Sequence, residues 1–230
     1  ISEALIVLGG AGYSIYPMAL LDYLGADMGI QGEGETAFVS LLNQLEKKEP
    51  LSVPGLYLPG LGLQENRVYE KNLDNLPLPD INFLPPSSPQ NDDEFWIPVQ
   101  TRRGCAMKCS YCSTPTIEGS ILRKRSPEKI VGWLRQWREL GQRHYYFVDN
   151  TFNIPSSYAK KLCSLLVDAH LDLMWRCIIY PSRIDEELVR LMVEAGCKEV
   201  SIGFESGAEV VLHGMNKRFR PEEVRKVCQT

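Results

Sequence analysis

Cys105, Cys109 and Cys112 stand in the run Arg103-Gly104-Cys105-Ala106-Met107-Lys108-Cys109-Ser110-Tyr111-Cys112. Three thiols spaced Cys-x3-Cys-x2-Cys within eight residues form a metal-site pattern. The number of ligands then decides which metal. A structural zinc site closes with four ligands, usually two Cys pairs or a Cys pair with histidines. Here the other four cysteines (Cys163, Cys177, Cys197 and Cys228) are scattered, and the nearest histidine is His144. Three thiolates without a fourth point to an iron–sulfur cluster that leaves one iron open to a non-protein ligand. The ferredoxin-type run, Cys-x2-Cys-x2-Cys-x3-Cys, has other intervals and a fourth cysteine. Seven cysteines is an odd number and nothing in the chain looks secretory, so a disulfide framework fits poorly.

The loop resembles the signature of the radical S-adenosylmethionine superfamily, Cys-x3-Cys-x-aromatic-Cys, with Tyr111 in the aromatic position. The resemblance implies that the three cysteines hold a 4Fe–4S cluster whose open iron is chelated by the amine and carboxylate of S-adenosylmethionine. It further implies one-electron cleavage of the sulfur–C5′ bond. That step leaves methionine and a 5′-deoxyadenosyl radical, which takes a hydrogen atom from a small-molecule substrate. A flavodoxin- or ferredoxin-type reductant follows as a partner. Thiolate ligation, hydrogen bonds to sulfur and solvent exclusion set the potential of such a cluster. Gly104 suits a backbone that folds tightly around a bulky group. The alternative, from a different class, is a noncatalytic iron–sulfur or zinc-stabilised module for binding or electron transfer. It predicts no response to S-adenosylmethionine.

With 230 residues, 44% of them hydrophobic, the chain can bury the core of one large or two small domains. A net charge of −4 and a pI near 5.5 leave no basic footprint for nucleic acid. No apolar run is long enough to span a bilayer and no signal peptide opens the chain, so a cytoplasmic enzyme is expected. The chain opens on Ile1 and stops inside a helical pattern at Thr230, which predicts a fragment of a longer protein.

The elements that must position the cysteines alternate between strand and helix patterns. Ile97–Thr101 reads as a strand directly before the loop. Ser126-Pro127-Glu128 is a helix start, a capping serine followed by proline at the first helical position. Ile130, Leu134, Trp137 and Leu140 then recur on one face until Gly141. Strands are predicted over 144–148, 173–179 and 199–203, and helices over 155–169, 185–195 and from about Pro221. Repeated βα units imply a parallel sheet with helices outside, curling toward a barrel. The fold class expected is thus α/β: a partial (β/α) barrel of radical S-adenosylmethionine type over 97–230. About four βα units are present, and the family resemblance implies six. A proline-rich connection covers 59–96. Residues 1–58 read as strand, helix, strand, helix, strand, with Phe38, Leu41, Leu42 and Leu45 on the second helix face.

In βα barrels the working residues sit where strands give way to loops, at the C-terminal face. The second such loop carries Asp149-Asn150, and the resemblance implies that these accept from the ammonium of S-adenosylmethionine. A turn or capping role is the alternative, and for Asp149 the two readings stand level. In the third loop, relatives place an arginine close to Tyr180; here the arginines are Arg176 and Arg183. The fourth loop, Gly203-Phe204-Glu205-Ser206-Gly207, resembles the family's Gly-x-Glu-Ser segment, which implies that Glu205 and Ser206 face the ribose and methionine ends of the cosubstrate. Tyr111 joins them as a cosubstrate contact. No residue is assigned as a catalytic acid, base or nucleophile. Arg123 and Arg125 read as a solvated charge cluster, Trp133, Trp137 and Trp175 as core aromatics, and Cys163 and Cys197 as buried small groups. His144, His170 and His213 lack ligand spacing.

Before the linker, Ile6-Val7-Leu8-Gly9-Gly10, Gly25-Ala26-Asp27 and Gly32-Glu33-Gly34-Glu35-Thr36 resemble, in order, the second half of the Rossmann-like cobalamin-binding domain that precedes many radical S-adenosylmethionine cores. There, Gly9 and Gly10 would let the backbone approach the cofactor's nucleotide tail. Asn72–Pro79 resembles the linker of the same subclass. The Asp-x-His-x-x-Gly element that supplies the cobalt-facing histidine is absent from this sequence. Residues 1–104 contain no cysteine, which argues against methylthiotransferases with a second cluster. Cobalamin-linked methyltransferases and oxidative cyclases of the anaerobic magnesium-protoporphyrin ester type both fit the remaining pattern.

Overall fold

A computed structural model of the chain describes residues 3–80 and 96–230. Part of the expected 59–96 connection, residues 81–95, lies outside the described residues. The chain divides into two units, one of residues 1–71, 104–107 and 112–122, the other of residues 72–103, 108–111 and 123–230.

In the first unit the chain runs through β1 (Val7–Leu8), α1 (Gly10–Ile15), α2 (Pro17–Leu24), β2 (Met28–Ile30), α3 (Gly34–Lys47), β3 (Leu56–Leu58) and β4 (Gly62–Leu63), with α4 (Thr114–Glu118) added from the cysteine loop. β1 pairs parallel to β2, and β2, β3 and β4 pair antiparallel in that order. Pro17 at the first position starts α2, and Gly25 in the left-handed region ends it. Met28, Ile30, Ala37, Leu41, Val53 and Leu56 close the core. The buried stripe of α3 is narrower than its sequence suggests. Ala37 and Leu41 face inward, while Phe38 and Leu42 are 42% and 49% exposed. A sheet of such short strands covers only one stripe of the helix, so the flanking apolar residues stay outside it.

The second unit contains β5 (Ile97–Val99), β6 (Arg102–Arg103), β7 (Arg123–Lys124), α5 (Pro127–Glu139), β8 (His144–Phe147), α6 (Ser156–Asp168), β9 (Met174–Ile179), α7 (Glu186–Glu194), β10 (Cys197–Ile202), α8 (Glu209–Gly214) and α9 (Pro221–Val227). β5, β8, β9 and β10 are neighbours in sequence order and all parallel, with Ile97 beside Tyr145, Tyr145 beside Trp175 and Cys177 beside Val200. This is the expected partial barrel wall. Alternation along β9 sends Trp175, Cys177 and Ile179 into the core and leaves Met174, Arg176 and Ile178 on the other, half-buried face. Ile130, Leu134, Leu162, Cys163, Leu166, Leu188 and Met192 of the three helices pack on the buried face. Leu140 is the exception to the expected α5 face: it caps the helix and is 52% exposed.

Two local features departed from the sequence reading. β6 and β7 form a two-stranded ribbon that brackets the cysteine loop, and α8 intervenes before α9. Arg125 is no solvated charge. It is 5% exposed and donates Nη1 to the carbonyls of Leu73 and Leu76, at 2.6 and 2.7 Å, and Nη2 to that of Pro77 at 3.1 Å. Trp133 Nε1 donates to Pro79 O at 2.8 Å and Ser126 N to Asp74 Oδ1 at 2.9 Å. The Asn72–Pro79 stretch is therefore docked on the head of α5, through carbonyls that an apolar surface would leave unsatisfied. Arg123 is likewise buried, at 7% exposure.

Candidate functional site

The cysteine loop begins with a backbone bend only glycine permits. Gly104 has φ +82°, and a Cβ there would lie 2.2 Å from Ile121 O. Its N–H donates to Glu118 Oε2 at 3.0 Å, and Cys105 N donates to Gly119 O at 3.1 Å. None of the three loop cysteines is in a disulfide; Cys105 and Cys109 are half-buried and Cys112 is exposed. Cys112 Sγ sits 3.4 Å from Thr114 Oγ1. Among the described residues no three His, Cys, Asp or Glu side chains are gathered as a closed metal site. The donor set itself suits an iron–sulfur cluster: soft thiols, unbridged, on a loop that is folded back by a glycine.

The middle of the loop is pinned to the segment after α8. Ser110 N donates to Met215 O at 3.1 Å, and Asn216 Nδ2 donates to Lys108 O at 2.6 Å. Tyr111 Oη and Lys217 Nζ both donate to Glu205 Oε1, each at 2.8 Å. Glu205 adopts φ +60°, and its carboxyl is held below the usual carboxylate range by Lys217 first and then by Tyr111. The Lys217 side chain is 5% exposed, with its ammonium 5.2 Å from the ring centre of Tyr111, 5.8 Å from Phe219 and 6.0 Å from Tyr180. Burial works to lower its pKa, but the Glu205 and Tyr111 bonds prevail and the net shift is upward. The Tyr111 hydroxyl is raised, by partial burial first.

Asp149, at the end of β8, is 1% exposed and fully engaged within the protein. It accepts from Thr101 N at 2.8 Å, Thr101 Oγ1 at 2.6 Å, Arg102 N at 2.8 Å and Arg102 Nη2 at 2.9 Å. These bonds tie the end of β8 to the residues that lead into the cysteine loop. Asn150, one residue on, is exposed. Tyr180, where an arginine was sought, is 5% exposed; its ring meets Phe219 edge-on at 5.1 Å and its hydroxyl accepts from Arg218 N at 2.9 Å. Arg176 lies on the half-buried face of β9 over the rings of Trp96 and Tyr146, at 4.8 and 5.1 Å. Arg183 has φ +59° in the turn before α7. Ser206 Oγ accepts from Ala208 N at 3.1 Å, a local turn.

In the first unit, Gly9 caps α1 and Gly10 takes φ +86°, with nothing within 4 Å of where its Cβ would stand. Glycine is needed there for backbone conformation, and the space over it is open. Gly29 differs: a Cβ would meet the Tyr13 ring at 2.2 Å.

A sequence profile of the radical SAM superfamily matches residues 99–230, more than half of the chain. The chain belongs to that superfamily. Radical SAM proteins use a 4Fe–4S cluster and S-adenosylmethionine. Among curated relatives, an uncharacterised methyltransferase of Pyrococcus horikoshii is 27% identical, over 95% of this chain and 49% of that protein. The tryptophan 2-C-methyltransferase of Streptomyces laurentii is 26% identical, over 93% and 46%. The anaerobic magnesium-protoporphyrin IX monomethyl ester cyclase of Rubrivivax gelatinosus is 24% identical, over 99% and 43%. The chain thus spans about half the length of the curated relatives it matches. Among solved structures, the radical SAM methyltransferase TsrM of Kitasatospora setae, determined with cobalamin and a 4Fe–4S cluster, superposes with TM-score 0.81 at 21% identity, over 99% of this chain and 48% of that one. The cobalamin-dependent radical SAM enzyme OxsB gives TM-score 0.79 at 19% identity, over 97% and 34%. These likenesses show the fold, the partial parallel barrel of radical SAM enzymes. Among the described residues no helix is long and apolar enough to cross a membrane.

Arg102 and Lys217 carry no local sequence signal, and Arg125, expected to be solvated, is buried. Each is a cation buried by partners distant in sequence, from 12 residues away for Glu205 to 52 for Leu73. No local periodicity marks such a residue.

Proposed function

We propose that the protein carrying this chain is a cobalamin-linked radical SAM methyltransferase acting on a small molecule. The carrying observation is the Cys105, Cys109, Cys112 loop, placed after the first strand of a parallel barrel wall. Relatives named as methyltransferases, aligned along nearly the whole chain, support the reaction class. The cyclase relative supports oxidative ring formation as a second outcome of the same radical initiation.

In this reading Cys105, Cys109 and Cys112 supply three thiolates. When bound, the cluster supplies the electron that cleaves S-adenosylmethionine, and cobalamin carries the methyl group. The protein's own residues orient and exclude. Tyr111 and Glu205 share a hydrogen bond at the mouth of the fourth strand, and Lys217 favours the ionised Glu205 carboxylate, which would offer an acceptor oxygen to the cosubstrate's ribose hydroxyls. Asn150 and Ser206 offer the cosubstrate amide and hydroxyl groups. Asp149 acts behind Asn150, holding the strand end that carries it. Gly10 leaves open space over which a cofactor tail would lie, with Gly9 beside it at the head of α1. The domain assignment follows: 1–58 as the C-terminal part of a cobalamin-type domain, 59–96 as connection and 97–230 as radical SAM core. A flavodoxin- or ferredoxin-type protein in the same cytoplasmic compartment supplies the electron.

The test is electron paramagnetic resonance on anaerobically reconstituted, dithionite-reduced protein, with and without S-adenosylmethionine, beside Cys109→Ala. A 4Fe–4S signal that shifts with the cosubstrate and vanishes in the variant supports the reading. Zinc in place of iron sinks it.

A further inference from the structure

Lys108, Ser110 and Tyr111 surround Cys109 in sequence, and each is held by one short segment, Met215–Lys217. Met215 O accepts from Ser110 N and Asn216 Nδ2 donates to Lys108 O. Lys217 stacks on Tyr111 and shares Glu205 with it. The cysteine between these pins has little freedom apart from the segment. Lys217 is also an unusual choice for a clamp. Its side chain is 5% exposed, enclosed by the rings of Tyr111, Tyr180 and Phe219, and its ion-pair partner Glu205 has a side chain 32% exposed. An apolar residue would pack against three aromatic rings without the desolvation cost of an ammonium. The retained charge therefore has work to do that packing cannot supply.

We propose that Lys217 is a positioning residue for the cluster: it clamps the Cys109 segment and sets a permanent positive charge beside it, raising the cluster's reduction potential. This rests on the reading of the cysteine loop as a cluster site. Reduction adds one electron to the cluster, so a fixed neighbouring cation favours the reduced form, and low local dielectric strengthens the effect. Glu205 offsets part of that charge, but it is the more exposed partner and is better screened by water.

The experiment is a potentiometric titration of the reconstituted complete protein, followed by electron paramagnetic resonance, for wild type, Lys217→Met and Lys217→Arg. Iron and sulfide content are measured beside it. Lys217→Met keeps the length and apolar stem but not the charge; Lys217→Arg keeps the charge. The expected result is a tenfold lower ratio of reduced to oxidised cluster at fixed potential in Lys217→Met, a midpoint about 59 mV more negative for a one-electron couple. Lys217→Arg should stay near wild type. Cluster loss in Lys217→Met with retention in Lys217→Arg would also support the charge as the clamp. Unchanged midpoints in both variants, or equal cluster loss in both, overturn the proposal and leave the cluster reading standing. A wild type that binds no iron overturns that reading instead.

Discussion

Arg102 Nη2 and Asp149 Oδ2 meet at 2.9 Å with both side chains essentially sealed from solvent, at 2% and 1% exposure. The pair joins the first residue of β6 to the end of β8, and the guanidinium also donates to Phe152 O and Ile154 O at 2.8 Å each. Two strand ends and the start of the cysteine loop therefore share one charged knot.

Breaking that knot from one side strands the other charge. Asp149→Ala should destabilise the protein by about 3–5 kcal/mol. The double variant Arg102→Met, Asp149→Ala should lose less than the sum of the two single changes. Denaturant unfolding of the four proteins measures the coupling; additive losses would mean that the two groups do not act as a pair.

Arg125 predicts a local effect as well as a global one. Arg125→Met leaves three carbonyls, those of Leu73, Leu76 and Pro77, without their donor. The expected loss is about 3 kcal/mol. Hydrogen exchange at the Asn75 and Leu76 amides should accelerate at least tenfold, because the turn they close has lost its anchor. Unchanged exchange there would show that Ser126, Lys129 and Trp133 hold the stretch without Arg125.

Gly104→Ala tests the bend before Cys105. A methyl group at φ +82°, 2.2 Å from Ile121 O, forces a backbone shift costing about 1–3 kcal/mol. Cluster content after reconstitution should fall with it. Gly10→Ala meets no atom within 4 Å, so its cost should come from backbone conformation alone. Thermal unfolding of the two variants separates clash from conformation.

The Glu205 carboxyl gives a pH dependence of known sign. Its folded pKa lies below the unfolded value of about 4.3, so its contribution is present above that pH and is lost as pH falls through the folded pKa. The melting temperatures of wild type and Glu205→Gln should differ by a constant amount above about pH 5 and converge as pH falls through the folded pKa. A gap that persists unchanged into acid would place the stabilisation elsewhere.

Thiol labelling should sort the cysteines by environment. Cys163 is fully buried, which pushes its thiol up to about 12, and Cys177 is 1% exposed and also raised. Both should resist iodoacetamide in the folded protein at pH 8, while Cys112, which is exposed, is alkylated. Peptide mass spectrometry reads the pattern, and rapid modification of Cys163 would contradict the core described for α6.

The sequence by itself determined the cysteine spacing, the βα alternation and the order of the parallel strands. These are local properties: ligand intervals, period-two and period-3.6 burial, and a proline or glycine at each helix boundary. Helix ends at Gly25 and Gly141, and starts at Pro17 and Ser126, lie where those residues place them. Tertiary structure alone decided which polar groups became partners. Asp149 read equally well as a ligand contact or a turn former, and burial beside Arg102 made it a structural anchor. Arg125 read as solvated until the carbonyls of Leu73, Leu76 and Pro77 closed over it. Lys217 carried no signal, since an ammonium between three rings and a carboxylate depends on Tyr111, Tyr180, Glu205 and Phe219 arriving from separate loops. A buried charge is set by long-range geometry, because only a folded neighbourhood can repay its desolvation.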